Sequence, residues 1–169
     1  WVKDERPRMG LGSFKALGAA YVIASDATST GAHDLTTALQ GQTYITASAG
    51  NHGLSVAAGA RVFGANAVIY IAETVPESFA ARLRDKGAKV VREGAEYEAS
   101  MAAAAQAADK NNWRLLSDSS WPGYYAAPHK LMEGYLTLLR EVVGDIPASP
   151  THIFLQAGVG GMAAAIAAG

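Results

Sequence analysis

The sequence of 169 residues contains no cysteine, which excludes disulfide bonds and thiolate chemistry. This absence is compatible with a reducing compartment, and we expect a cytoplasmic protein. Excess charge of either sign is also lacking: the formal net charge is −1, with no basic stripe and no charged block. Nothing therefore favours a nucleic acid or an anionic membrane as partner. No signal peptide or membrane-spanning run is visible in the sequence.

What the sequence does contain is an alternation of short apolar runs with longer helical patterns, which is typical of βαβ units around a parallel sheet. Several of these runs are unbroken, which predicts strands that are buried on both faces. We therefore expect an α/β fold in three layers, with a parallel sheet between helices. The predicted strands are Thr43–Ala47, Ala67–Ala72, Lys89–Arg92, Arg114–Ser117 and His152–Gln156.

Between the predicted strands, apolar residues three or four positions apart indicate amphipathic helices. An alanine-rich helix is expected from Tyr97 to Ala108. The segments Ser25–Gly41 and Asp145–Pro150 are rich in turn formers, and we expect them to cross between subdomains. The apolar faces of the other two helices comprise Phe14, Leu17, Tyr21 and Val22, and Leu131, Tyr135, Leu138, Leu139, Val142 and Val143.

Both ends of the sequence are unusual for a complete protein. Residue 1 is Trp rather than Met, and residues 162–169 resemble a helix that has only begun. We expect the chain to be part of a longer, two-domain protein.

The first segment that could take part in chemistry is GLGSFKALG, residues 10–18, which places Lys15 where a loop enters a helix. Its apolar neighbours Phe14, Ala16 and Leu17 predict partial desolvation, which favours the neutral amine needed for Schiff-base chemistry. An ordinary solvated helix lysine is the alternative for this position considered alone.

The second segment is TASAGNHG, residues 46–53, between a predicted strand and a predicted helix. Its small residues allow the backbone to pass close to a ligand, and Asn51 offers an amide donor and a carbonyl acceptor. Asn51 could instead be a helix cap. His52 could be structural, since no second ligand at metal spacing accompanies it.

The third segment, QAGVGGMAA at residues 156–164, is a glycine-rich turn before a helix. Such a turn presents backbone amides at the positive end of the helix dipole, which suits a phosphate group. Gly158, Gly160 and Ala163 also match the G-x-G-x-x-[GA] pattern of dinucleotide-binding folds. A nicotinamide or flavin site is therefore a competing interpretation of this motif.

The fourth segment is SDSSWPGY, residues 117–124, after the predicted Arg114 strand. Asp118 lies at the carboxyl end of that strand, where ligands of open α/β sheets bind. Asp118 could equally cap the turn before Pro122.

These four motifs, in this order, resemble the tryptophan-synthase β-like family of pyridoxal-phosphate enzymes, also called fold type II. The resemblance implies pyridoxal 5'-phosphate as cofactor, with Lys15 as the Schiff-base lysine and Phe14 near the cofactor ring. Asn51 matches the residue that contacts the cofactor's phenolic oxygen. The residues that match the family's phosphate loop are Gly158, Val159, Gly160, Gly161 and Met162.

The resemblance also implies a domain organisation and a partner. Residues 1–42 are expected to belong to a large domain that carries the lysine, residues 43–125 to a small α/β subdomain, and residues 126–169 to the large domain again. A small amino acid is the implied substrate, and a homodimer is the implied assembly. The residues expected to contact the substrate are Ser48, Ala49, Gly50 and His52.

Within the family, the motifs are most similar to those of diaminopropionate ammonia-lyases. This similarity implies α,β-elimination from 2,3-diaminopropionate to pyruvate and ammonia, with Asp118 as the base at the α-carbon. These ammonia-lyases typically have a second aspartate before Gly-Asn-His, implicated in handling the D-enantiomer, where this sequence has Ala49. The loop with Ala49 is similar to that of threonine and serine dehydratases, so a dehydratase is one alternative. A non-catalytic, truncated binding domain is the other.

Overall fold

The computed structural model describes all 169 residues, Trp1–Gly169. It contains four strands, six α-helices and two short 3-10 helices. No helix has the long apolar stretch that crossing a bilayer requires. The strands are β1 (Thr43–Ala47), β2 (Asn66–Ile71), β3 (Lys89–Arg92) and β4 (Arg114–Leu115). The helices are α1 (Lys15–Ser29), α2 (Asn51–Val62), α3 (Glu77–Asp85), α4 (Tyr97–Asn111), α5 (Ala126–Asp145) and α6 (Gly161–Ala168).

The four strands form one parallel sheet in the order β3-β2-β1-β4. In the central pair, Thr43 is opposite Asn66 and Ala47 is opposite Tyr70. Because chemistry in open parallel sheets collects at the carboxyl ends of the strands, the loops that follow β1 and β4 are in the expected place for a site.

Alternate residues of the sheet pack against two different helical layers, which confirms the three-layer α/β fold. Tyr44, Ile69 and Ile71 belong to a buried cluster with residues of α1, α2, α3 and α5. Ile45 and Val68 point to the opposite face and pack with residues of α4. The sheet is therefore covered on both faces, as its apolar strands require.

The strand predictions hold where the partner strands are present in the chain. The predicted bounds of β1 and β3 are confirmed, and β2 is displaced by one residue. Regular β4 ends at Leu115 rather than Ser117, although Leu116 still donates its amide to the carbonyl of Ile45. The chain then leaves the sheet directly before Asp118.

The prediction of a strand at His152–Gln156 is wrong. This segment has no regular structure, and its backbone donates and accepts no hydrogen bond from other backbone groups. Phe154 is 93% exposed. The physical reason is that a strand exists only beside another strand, and the four-stranded sheet does not extend to this segment. The run is apolar, as a buried strand would be, but no strand of the sheet lies beside it.

The prediction of a turn-rich crossing at Ser25–Gly41 is wrong at its start, because α1 continues to Ser29. The hydroxyls of Thr28 and Ser29 both donate to the carbonyl oxygen of Ser25, at 2.9 and 2.7 Å. Serine and threonine hydroxyls often compete with the backbone hydrogen bonds of a helix, but here both hydroxyls bond to a carbonyl oxygen of α1 itself. The irregular part of the connection follows Ser29.

Two glycines allow helices α1 and α5 to approach closely. A Cβ atom at Gly134 would lie 2.4 Å from the carbonyl oxygen of Leu17, and one at Gly18 would lie 2.7 Å from Cδ2 of Leu131. Distances this short do not occur for real Cβ atoms, so glycine is required at both crossing points. The close approach brings the beginning of α1 against the middle of α5.

A buried carboxylate joins α1 to the sheet and to α5. Asp26 accepts a hydrogen bond from the hydroxyl of Tyr44 at 2.8 Å and pairs with Arg114 at 3.0 Å. Lys130 lies 3.7 Å away on the other carboxylate oxygen. With its side chain only 9% exposed, Asp26 has the partners that a buried charge needs.

We predict that Gly134→Ala destabilises the protein by about 1–3 kcal/mol, because the added methyl group must push α1 away from α5. Chemical denaturation monitored by circular dichroism measures the loss.

Gly144→Ala is the matched control, since it lies in the same helix and a Cβ there meets nothing within 4 Å. It should be neutral or stabilise by up to about 1 kcal/mol through helix propensity. Equal stability of the two variants would contradict the close-packing account.

Candidate active site

Lys15 and Asp118 meet at the edge of the sheet although they are 103 residues apart in sequence. Lys15 is the first residue of α1, and Asp118 follows β4. Nζ of Lys15 forms an ion pair with Oδ2 of Asp118, and the two side chains are 23% and 18% exposed. The solvated-lysine and turn-cap alternatives therefore do not describe these side chains. Apolar surroundings are only part of the environment of Lys15, because a carboxylate contacts its ammonium directly.

Opposing influences act on the carboxyl of Asp118. Burial alone would raise its pKa, but the charge of the neighbouring His52, when that imidazole is protonated, and the ion pair with Lys15 outweigh burial and hold the pKa below its ordinary value. Asp118 is therefore a carboxylate while Lys15 remains its partner. A change at the lysine amine changes the basicity of the aspartate.

A cavity of about 220 Å³ opens beside this ion pair. Its walls combine the start of α1, the residue after β4, the middle of α5 and the glycine-rich turn before α6. The lining residues are Phe14, Lys15, Asp118, Leu131, Met132, Tyr135, Gln156, Ala157, Gly158, Val159, Gly160, Gly161 and Met162.

The glycine-rich turn presents unpaired amides to this cavity. Gly160 is the N-cap of α6 and has a φ of 90°, a left-handed conformation that favours glycine. The amides of Gly161, Met162 and Ala163 donate no hydrogen bond within the chain. Three free donors at a helix N-terminus form an arrangement suited to an anion.

The loop of residues 46–53 is organised by Ser48 rather than by Asn51. Oγ of Ser48 accepts hydrogen bonds from the amides of Gly50 and Gly53, both at 3.2 Å. Asn51 begins α2, is exposed, and its side chain makes no hydrogen bond. The helix-cap alternative for Asn51 is therefore wrong, and its amide group is free. Residues 48–52 do not line the cavity itself.

His52 lies in the interior, with only 4% exposure. Its Nε2 is 2.8 Å from the carbonyl oxygen of Leu116, two residues before Asp118, and its Nδ1 has no partner. As Nε2–H is the donor, Nδ1 carries the lone pair. Burial is the largest influence on this imidazole and lowers its pKa. His52 therefore fixes the backbone that leads to Asp118 while remaining neutral.

The structure thus brings eight of the predicted site residues to one cavity and leaves the 46–53 loop beside it. Leu131, Met132 and Tyr135 of α5 also line the cavity and were not predicted as members of the site. Their helical spacing predicted an inward face, but periodicity does not reveal what that face contacts. Gln156 and Ala157 belong to the glycine-rich segment 156–164 and also line the cavity, although they were not predicted as site residues.

The family model for pyridoxal-phosphate dependent enzymes matches residues 1–169. The chain belongs to this family. Diaminopropionate ammonia-lyase from Escherichia coli K12 is 35% identical over 98% of this chain and 44% of the relative. The holo crystal structure of the E. coli diaminopropionate ammonia-lyase superposes with a TM-score of 0.89 at 34% identity, over 98% of this chain and 46% of the other.

A second kind of relative is the biosynthetic L-threonine dehydratase of Haemophilus influenzae. It is 29% identical over 99% of this chain and 29% of the relative. The chain spans less than half the length of these relatives. Both relatives match along nearly the whole of this pyridoxal-phosphate family chain, so the matched region spans the segments that carry all four motifs.

The residues of this family member fit pyridoxal phosphate. The cavity joins a primary amine, an aromatic ring at Phe14 and free amides suited to a phosphate. In addition, the buried side-chain polar atoms without a partner lie on the segments around it. Buried polar atoms of native folds normally have a hydrogen-bond partner, so such atoms beside a cavity are candidates for contact with a bound group. These atoms are Ser13 Oγ, Thr46 Oγ1, His52 Nδ1 and Tyr135 Oη.

We predict that His52 makes the protein less stable as the pH falls from about 6.5, the ordinary value for histidine. In that range the unfolded state binds a proton that the buried imidazole resists, so the free energy of unfolding decreases. His52→Gln retains a donor for Leu116 but cannot titrate. The fall in melting temperature between about pH 7 and pH 5 should therefore be smaller in this variant.

His33→Gln, at an exposed position, is the control and should reproduce the wild-type fall. Asp118 does not contribute in this range, because its pKa lies below its ordinary 3.8 and its ion pair is lost only at more acidic pH. Parallel curves for His52→Gln and the wild type would disprove the role given to His52.

Proposed function

We propose that this protein is a pyridoxal-phosphate-dependent lyase that catalyses α,β-elimination from a small amino acid, with 2,3-diaminopropionate as substrate and pyruvate and ammonia as products. The observation that carries the proposal is the meeting of Lys15, Asp118 and the glycine-rich turn in one cavity. The identity of 35% to diaminopropionate ammonia-lyase supports the choice of substrate.

The cofactor would be held by three parts of the chain. The amides of residues 161–163 would bind its phosphate, because they have no other acceptor. Phe14 would pack beside its ring, and the free side chain of Asn51 would contact its phenolic oxygen. The turn residues proposed for the phosphate are Gly158, Val159, Gly160, Gly161 and Met162.

Pyridoxal phosphate supplies an electron-withdrawing ring that acidifies the α-proton of an attached amino acid. The protein must then provide a nucleophilic amine and a base. Lys15 becomes nucleophilic when Nζ loses a proton. Oδ2 of Asp118 is the group in contact that can accept this proton and pass it to solvent, which returns Asp118 to its carboxylate form.

The ion pair also makes the basicity of Asp118 adjustable. While the ammonium is present, the pKa of Asp118 is held low; without it, the influence of burial is less opposed and raises the pKa. Asp118 therefore becomes a better base once Lys15 has given up its charge. We propose that Asp118, as the carboxylate, removes the α-proton at that point and that this proton passes through the lysine amine to the leaving β-amino group, which departs as ammonia.

The loop after β1 would bind the amino acid. The backbone amides of Asn51 and His52 donate no hydrogen bond within the chain, so both are free for a substrate carboxylate at the start of α2. Ser48 holds the loop in shape through Gly50. The proposed substrate contacts are Ser48, Ala49, Gly50 and His52, the last through its amide.

The larger organisation of the protein is part of the same proposal. We place residues 1–42 and 126–169 in a large domain and residues 43–125 in a small one, because the sheet lies within 43–125. The proposed cytoplasmic homodimer rests on the family resemblance.

We predict that Lys15→Ala abolishes turnover of L-2,3-diaminopropionate, because no other amine lines the cavity. Pyruvate formation in a coupled assay measures the loss. Borohydride reduction of the wild-type full-length protein with pyridoxal phosphate should fix the cofactor on Lys15, as located by mass spectrometry.

Lys110→Ala, on the exposed side of α4, should keep full activity and normal labelling. Undiminished turnover by Lys15→Ala, or specific labelling of another lysine, would refute the assignment.

We predict that the L-enantiomer of diaminopropionate is strongly preferred, because Ala49 stands where related ammonia-lyases have an aspartate implicated in handling the D-form. Comparing kcat/KM for the two enantiomers measures the preference. Ala49→Asp should raise turnover of the D-form. Equal wild-type turnover of both enantiomers would contradict this explanation.

A threonine or serine dehydratase is the second candidate. The SAGNHG loop at residues 48–53 and the 29% identity to the threonine dehydratase favour it. Formation of 2-oxobutyrate from L-threonine, faster than pyruvate from diaminopropionate, would select the dehydratase.

A further inference from the structure

The hydroxyl of Tyr135 is a buried donor without an acceptor. Tyr135 is 1% exposed, and its Oη has no hydrogen-bond partner. Buried tyrosine hydroxyls normally have one. Among the four unpartnered atoms of the chain, only that of Tyr135 belongs to a residue that lines the 220 Å³ cavity.

Two residues of α1 hold the tyrosine ring in place. The rings of Phe14 and Tyr135 meet edge to face, with centroids 5.1 Å apart and an angle of 69°. On the following turn, a Cβ at Gly18 would lie 2.8 Å from Cε1 of Tyr135. The ring is therefore fixed against the positions on both sides of Lys15.

The same face of helix α5 also contacts the glycine-rich turn. Met132, one turn before Tyr135, packs against Gly161, where a Cβ would lie 3.6 Å from its Cγ. The amides of Gly161 to Ala163 are the free donors at this end. Tyr135 thus lines the same cavity as Gly161 and Met162, two of the three residues whose amides also lack an acceptor.

The phenol is suited to donate and not to ionise. Burial raises its pKa, and the negative charge of Asp118 acts in the same direction. A neutral hydroxyl beside free amides matches an anionic oxygen as ligand.

We propose that Tyr135 Oη donates a hydrogen bond to the phosphate of bound pyridoxal phosphate and completes an anion site with the amides of residues 161–163. This inference rests on the proposed cofactor site. Tyr135 is then a cofactor-binding residue contributed by α5, in addition to the glycine-rich turn.

The test compares two ligands that differ only in the phosphate. Full-length apoprotein is titrated with pyridoxal phosphate and with pyridoxal, following tryptophan fluorescence. Tyr135→Phe should weaken binding of pyridoxal phosphate by about tenfold or more, the usual range for a hydrogen bond to a charged group. Its affinity for pyridoxal should be unchanged.

Tyr44→Phe is the matched control, because it removes a buried hydroxyl that already has Asp26 as partner, in β1 and outside the cavity. This variant should lose stability without discriminating between the ligands. Tyr135→Phe keeps its ring contacts, and the apoprotein should be at least as stable as wild type because an unpaired hydroxyl is removed.

Unchanged affinity of Tyr135→Phe for pyridoxal phosphate overturns the inference. An equal loss for both ligands also overturns it, since the hydroxyl would then contact another part of the molecule. If the wild type binds neither ligand, the proposed cofactor site itself fails. The failure of the inference is thereby distinguishable from failure of the proposed function.

Discussion

The close approach of α1 and α5 is the constraint on which the site depends. Gly18 and Gly134 remove the two Cβ atoms that would separate these helices. The first turn of α1, with Lys15, is thereby placed against the middle of α5. Helix α6 packs on α5 as well, through Met132 at Gly161, so α5 sets the position of the glycine-rich turn relative to the lysine. The packing of α1 against α5 thus determines the dimensions of the cavity.

The chemistry of the cavity depends on the two opposite charges of Lys15 and Asp118. Lys15 and Asp118 are both largely removed from water, and their opposite charges compensate each other. Any reaction that changes the charge on one changes the proton affinity of the other. His52 supports this pair through its hydrogen bond to the backbone at Leu116, and when its imidazole is protonated it lowers the pKa of Asp118 further. The protein therefore couples an amine to a base with few side chains.

The sequence was most informative where local pattern and tertiary environment agree. Strands β1 and β3 have the predicted bounds because their apolar runs have partner strands within the chain. Residues 152–156 have the same apolar pattern but no partner strand, and the pattern alone does not show whether a partner strand is present. Lys15 and Asp118 were both identified, whereas their contact depends on the packing of α1 against the sheet. Tyr135 was predicted to face inward, but only the structure shows that it faces a cavity.

The extended segment at His152–Gln156 has a consequence for the solution behaviour of this chain. Its backbone groups are unpaired on both sides, it contains no proline or lysine, and Phe154 is almost fully in solvent. Such a segment is a template for intermolecular β-pairing. At high concentration, the free backbone groups of this segment can pair with those of a second chain unless another strand covers them. The five residues next to the glycine-rich turn therefore form an open edge that the net charge of the surface does not protect.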